Sequence, residues 1–150
     1  MSPPTAAPTA LVAGPADRAA LAELRRRVFV EEQGVPPGIE QDAADDTAVH
    51  VISRAEDGRV VATGRLLVVP GSRTASIGRM AADPSVRGRG HGAAVLDELH
   101  RQAAARGISA VELHAQVSAR RFYERAGYTA VGEEYEEAGL VHITMRRNLP

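Results

Sequence analysis

Apolar residues recur along the chain at two alternating spacings, one helical and one strand-like. Leu21, Leu24 and Val28 fall three and four residues apart and mark one face of a first helix. Gly14-Pro15 opens that helix, with proline where its missing N–H is harmless, and Gly34 and Pro36-Pro37 close it. His50 to Ala55 and Arg59 to Val69 read as two strands joined by the hairpin signal Asp57-Gly58. Pro70-Gly71-Ser72 turns the chain into a third strand, Thr74 to Ala82, which stops before Pro84. A helix follows from about Gly90 to Arg106, with the stripe Val95, Leu96, Leu99 and Ala103 and a stop at Gly107. Ile108 to Ala115 is a strand, Ser118 caps a helix over Ala119 to Ala126, and Gly127 ends it. Tyr128 to Gly132 and Leu140 to Arg146 complete the set as strands. A meander followed by a strand–helix–strand unit predicts a mixed sheet covered by helices, an α+β class fold arranged as an α/β sandwich.

Composition narrows this picture. At 150 residues, with 44% hydrophobic and 25% charged residues, the chain fits one globular domain over 10–150, preceded by a disordered Pro/Ala/Thr-rich tail over 1–9. That tail lacks the basic start and apolar stretch of a signal peptide, so the default location is the cytoplasm. No apolar run approaches the ~20 residues of a membrane span. With 3% aromatics and no Trp, the core must be built from Ala, Val, Leu and Ile. A net charge of -1 and scarce aromatics speak against a nucleic-acid or membrane partner. All 18 basic residues are Arg, and cysteine is absent, which excludes disulfides and a cysteine nucleophile. The histidines are dispersed without ligand spacing, so no metal centre is expected.

The candidate chemistry begins at Arg87-Gly88-Arg89-Gly90-His91-Gly92. Glycines allow close approach to the main chain, and a helix starting here leaves its first N–H groups unpaired. With the helix dipole and two guanidinium groups, they make a phosphate site. A Walker loop is excluded because it needs lysine. A dinucleotide fingerprint fits poorly, since the loop is entered through Asp83-Pro84-Ser85-Val86 rather than straight from a strand.

A second segment, Gln116-Val117-Ser118-Ala119-Arg120-Arg121-Phe122-Tyr123-Glu124-Arg125-Ala126-Gly127-Tyr128, sharpens the reading. Together the two resemble the GNAT superfamily of acyl-CoA N-acyltransferases. Arg87, Gly90 and Gly92 fill the family's loop pattern, and Ala119, Tyr123 and Gly127 its later one, with Gln116 for the usual Asn and Tyr128 for the usual Phe. Arg27 to Gln33, Gly64-Arg65-Leu66, Ile77-Gly78-Arg79-Met80 and Gly139 to Met145 extend the resemblance to the ElaA-like branch, over roughly residues 10–147. It implies a mixed sheet of about six to seven strands with about four helices, splayed where acyl-CoA lies.

The resemblance also implies roles. Acetyl-CoA would be the cosubstrate, bound by Met80, Ala81 and Ala82 through the backbone and by main-chain N–H groups from Gly88 through His91 to Gly92. Arg87 and Arg89 would add charge, with Gln116 and Phe122 beside the site. Tyr123 would be the general acid that protonates the leaving thiolate. Glu112, His114 and Gln116 alternate onto one strand face, so His114 or Glu112 could serve as base, with His50 and His142 weaker candidates. The acceptor would be a small-molecule or peptide amine. The six acids between Glu31 and Asp46, with no base among them, could draw a cationic one, or simply balance an Arg-rich remainder. Val141 to Met145 could be an exposed or paired edge strand, and nothing in the residues decides that or a homodimer. A non-catalytic acyl-CoA-binding domain of the same fold stays open as the alternative.

Overall fold

The computed structural model describes residues 7–150, so most of the expected tail lies outside the described residues. Strand β1 (Ala10–Val12) leads into helix α1 (Arg18–Arg25), which continues as π-helical turns over Arg26–Glu32. Then come β2 (Val49–Arg54), β3 (Val60–Leu67), β4 (Thr74–Ala82), α2 (His91–Ala105), β5 (Ala110–Gln116), α3 (Arg120–Arg125), β6 (Thr129–Glu137) and β7 (Leu140–Asn148). The seven strands form one mixed sheet in the order β1-β2-β3-β4-β5-β7-β6, parallel only between β4 and β5.

The turn chemistry works as the residues require. Gly58 takes φ 88° in the β2–β3 hairpin, and Asp57 Oδ1 accepts from the Arg59 amide at 3.0 Å. Helix α2 ends in a Schellman motif: Gly107, at φ 75°, donates to Ala104 O and Ile108 to Ala103 O, at 3.0 and 3.1 Å. Val95, Leu96, Leu99 and Ala103 press α2 onto Val51, Ala62, Leu66 and Val111. On the other side of the sheet Leu24, Val28 and Phe29 of the first helix pack with Val35 and Ala81.

Several expectations need correction. The strand Leu140–Asn148 is interior, paired to both β5 and β6; the edges are β1 and β6. β1 was not foreseen, being three residues held by register on Val51 to Ser53 rather than by its own pattern. β6 runs five residues past Gly132 to Glu137, across a register shift between Val131 and Tyr135. The acidic stretch carries one 3-10 turn, Ala43–Asp46, and the described residues hold three α-helices rather than about four. Ser118 does not cap α3, which starts at Arg120, one residue later than expected, after a 3-10 turn and with Ala119 at the N-cap position.

Candidate active site

β4 and β5 part company halfway along. Their parallel pairing runs from Thr74↔Ala110 to Ile77↔Leu113 and then stops, although β4 continues to Ala82 and β5 to Gln116. Past that point β4 pairs only with β3 and β5 only with β7. The backbone groups of 78–82 that point away from β3 therefore face a gap. A bulge sharpens the parting: Arg65 sits opposite Gly78 and Thr63 opposite Ala81, so Gly64 alone faces Arg79 and Met80. Arg79 adopts φ 54°, rare for a residue with a side chain.

A cleft of about 970 Å³ fills the gap. Its walls include Met80, Ala81, Ala82, Arg87, Glu112, His114, Gln116, Tyr123, Glu137 and His142, from β4, its following turn, β5, α3, β6 and β7. From Arg87 the chain passes directly into the glycine loop. Gly88 and Gly90 take φ 80° and 89°, and among the described residues the amides of Gly88, Gly90, His91 and Gly92 donate to no backbone carbonyl. Such a nest of amides at a helix N-terminus can receive an anion. The Arg89 amide differs from expectation: it donates to Val86 O at 3.2 Å inside the turn. Arg89 also lines a separate hollow with Pro8 and Asp97. His91 turns its imidazole inward, with Nδ1 2.7 Å from Ser53 Oγ, so only its main chain faces the nest. Gly92 lies against Phe122.

The family is decided by the match of the chain to the model of the acetyltransferase (GNAT) domain over residues 16–149. The chain belongs to the GNAT family. A Bacillus subtilis protein that carries an acetyltransferase name is 35% identical to this GNAT chain over 128 residues, 83% of this chain and 85% of its own. The crystal structure of Escherichia coli ElaA is similar at 28% identity and a TM-score of 0.80, covering 93% of this chain and 99% of ElaA. An acyl-CoA N-acyltransferase from Pseudomonas aeruginosa is similar at 33% identity and TM-score 0.74, covering 93% of this chain and 98% of its own.

Within the GNAT cleft each candidate has a definite environment. Tyr123 is 7% exposed, and burial raises its phenol well above the ordinary value. Its ring meets Phe122 and Tyr128 edge-on at centroid distances of 5.0 and 5.8 Å. Gln116 Nε2 donates to Gln33 Oε1 at 2.8 Å. Arg87 is held by Glu32, with Nη2 2.6 Å from Oε1, and donates from Nε and Nη2 to Ala82 O at 3.1 and 2.9 Å. Glu112 accepts from Arg146 Nη1 at 3.0 Å. His114 is exposed on the same face. His50 is buried away from the cleft, with Nε2 2.9 Å from Asp45 O, and burial lowers its pKa.

The acidic stretch is neutralised within the chain. Arg25, 3% exposed, pairs Nη1 with Asp45 Oδ1 at 2.8 Å and reaches Glu40. Arg65 Nη1 lies 2.6 Å from Asp42 and 2.8 Å from Asp45. Arg79 Nη2 lies 3.3 Å from Asp42, and its Nε donates to Glu40 O at 2.9 Å. Burial pushes the Asp45 carboxyl up, but the Arg25 and Arg65 guanidiniums outweigh it and hold Asp45 well below the carboxylate range. Glu31 pairs with Arg26 and Glu32 with Arg87, so five of the six acids have arginine partners. Sequence reasoning missed Arg79 and Glu137. A lone glycine, Gly78, inside a strand pattern was the available signal for the bulge that aims Arg79. Among the described residues no group of three or more His, Cys, Asp or Glu is arranged to hold a metal ion.

Proposed function

We propose that this GNAT chain transfers an acyl group, acetyl first of all, from acyl-CoA to a primary amine by direct attack on the thioester. The observation that carries this reading is the unpaired half of β4 facing β5 and running straight into the glycine nest. A pantetheine arm resembles a short peptide and can pair with the free backbone groups of 78–82, while the nest amides receive the diphosphate. Any N–H of Met80 to Ala82 that points into the gap can polarise the thioester carbonyl.

Tyr123 is the acid. The amine nitrogen bonds to the carbonyl carbon as the C=O electrons move to oxygen. On collapse the C–S bond breaks, sulfur takes the Tyr123 proton, and the proton shed by nitrogen restores the phenol. Burial keeps that phenol protonated until a thiolate appears beside it. His114 lies on the open side of the cleft as a proton acceptor, whereas Glu112 is engaged by Arg146.

Acetyl-CoA at 100 times its Kd should stabilise the protein by about 2.7 kcal/mol, with ATP and NAD giving no shift. A coenzyme A-release assay against an amine library then tests transfer. Tyr123→Phe should lower kcat by ~10- to 1000-fold while keeping the acetyl-CoA thermal shift. Unchanged turnover would remove the acid role, and binding without turnover on any amine would favour a non-catalytic domain.

A further inference from the structure

On the cleft wall beside the start of β7, a carboxylate stands between two imidazoles. Glu137 Oε2 lies 3.5 Å from His114 Nδ1 and 3.9 Å from His142 Nε2. The three come from three adjacent strands and all line the cleft that also holds Tyr123. Tyr135 packs against both rings, stacked on His142 at 6.0 Å and 24° and edge-on to His114 at 5.7 Å.

The protonation pattern of His142 follows from its partners. Nδ1 sits 2.8 Å from Leu140 O, which can only accept, so Nδ1 carries the proton. In the neutral ring Nε2 then presents a lone pair toward the Glu137 carboxylate. Two acceptors facing each other across 3.9 Å on the cleft wall, His142 10% and Glu137 49% exposed, leave a place for a donor or cation between them. The β6–β7 turn holds them there: Ala138 and Gly139 take φ 52° and 80°, as in a type I′ two-residue hairpin. A side chain at Ala138 makes that conformation unfavourable by about 1 kcal/mol, so the surrounding structure must enforce it.

We propose that Glu137, His142 and His114 form the receptor for the acceptor amine, binding it as an ammonium ion and taking its proton before attack. This rests on the acyl-transfer reading and adds to it the charge state of the substrate, the residue Glu137 and a defined role for His142 at its binding end. The ammonium N–H groups donate to the Glu137 carboxylate and His142 Nε2. One proton moves to Nε2, leaving an imidazolium that keeps its other N–H on Leu140 O and is paired by Glu137. The amine, now neutral, keeps its lone pair for the thioester carbon. His142 passes the proton to solvent through the exposed Glu137–His114 pair. The titratable groups facing His142 are Glu137 and Tyr135 from β6 and His114 from β5. Cation attraction thus arises at this cluster rather than at the Arg-neutralised stretch 31–46.

The test compares wild type with Glu137→Gln and His142→Phe, the latter keeping the ring against Tyr135. Acetyl-CoA is the donor; benzylamine is the cationic probe at pH 7.5, and aniline and methoxyamine are the uncharged probes. Both variants should lose about 100-fold in kcat/KM on benzylamine and under ~3-fold on the uncharged amines. Equal losses on both classes would overturn the proposal. A second arm needs no turnover: benzylamine hydrochloride should shift the His142 Nε2 and His114 Nδ1 nitrogen resonances in wild type and leave them in Glu137→Gln. Absence of a wild-type shift also overturns it. Failure of acetyl-CoA to raise Tm in wild type would instead count against the acyl-transfer reading.

Discussion

Tyr128 carries a hydroxyl where the family motif usually has a bare phenyl ring, and a small buried network accommodates that one atom. Its Oη lies 2.6 Å from His100 Nε2, while Arg147 Nη1 lies 3.0 Å from His100 Nδ1 and donates to Ala126 O at 3.0 Å. A guanidinium can only donate, so Nδ1 accepts and the neutral ring's proton sits on Nε2, facing Tyr128. Burial and then the Arg147 charge push the His100 pKa down to about 4. The unfolded chain takes up this proton near pH 6.5 and the folded chain resists it until about 4. The associated stability is therefore complete above pH 6.5 and falls with pH, by about 3 kcal/mol on reaching the folded pKa. Urea unfolding at pH 7 and pH 4.5 should show this loss in wild type and a smaller one in His100→Gln. Equal losses would place the acid sensitivity elsewhere.

Among elements, the β4 bulge controls how the sheet meets α2. A Cβ at Gly64 would come 2.4 Å from Met80 Sδ and 2.9 Å from Leu99 Cδ1, because the two β4 residues opposite crowd the single β3 position. Gly64→Ala should destabilise the protein by about 1–3 kcal/mol in thermal or urea melts. Adding Met80→Ala should return part of that by making room; strict additivity of the two would show that Met80 is not the obstacle. The same bulge shows where the sequence could and could not be read. The apolar stripe from Val95 to Ala103, the Asp57-Gly58 hairpin and the stops at Gly107 and Gly127 were legible because local chemistry sets them. β1, the π turns of 26–32 and the length of β6 were not, since each depends on a partner distant in sequence. In the site, the loop from Arg87 to Gly92 and Tyr123 stood out by motif. The inward turn of His91, the engagement of Glu112 by Arg146 and the neighbourhood of Glu137 depend on tertiary pairing that spacing does not encode.

For the molecule as a whole, charge is arranged to cancel internally before it reaches solvent. The buried Arg25 touches both Asp45 and Glu40. Arg25→Met would leave these carboxylates short of a partner and should destabilise by about 3–5 kcal/mol in urea unfolding. Arg59→Ala, which removes only the exposed pair with Asp57, should change stability by less than ~1 kcal/mol. Similar effects from both would mean that burial does not govern these pairs. One of these pairs bears on anion choice. Glu32, at the end of the first helix, already occupies the guanidinium of Arg87 at the threshold of the nest. An incoming anion must evict that tethered carboxylate, whose effective concentration far exceeds that of free phosphate or sulfate in solution. Small ions are thereby handicapped, and the advantage passes to a ligand whose anionic group arrives already attached to other docking parts.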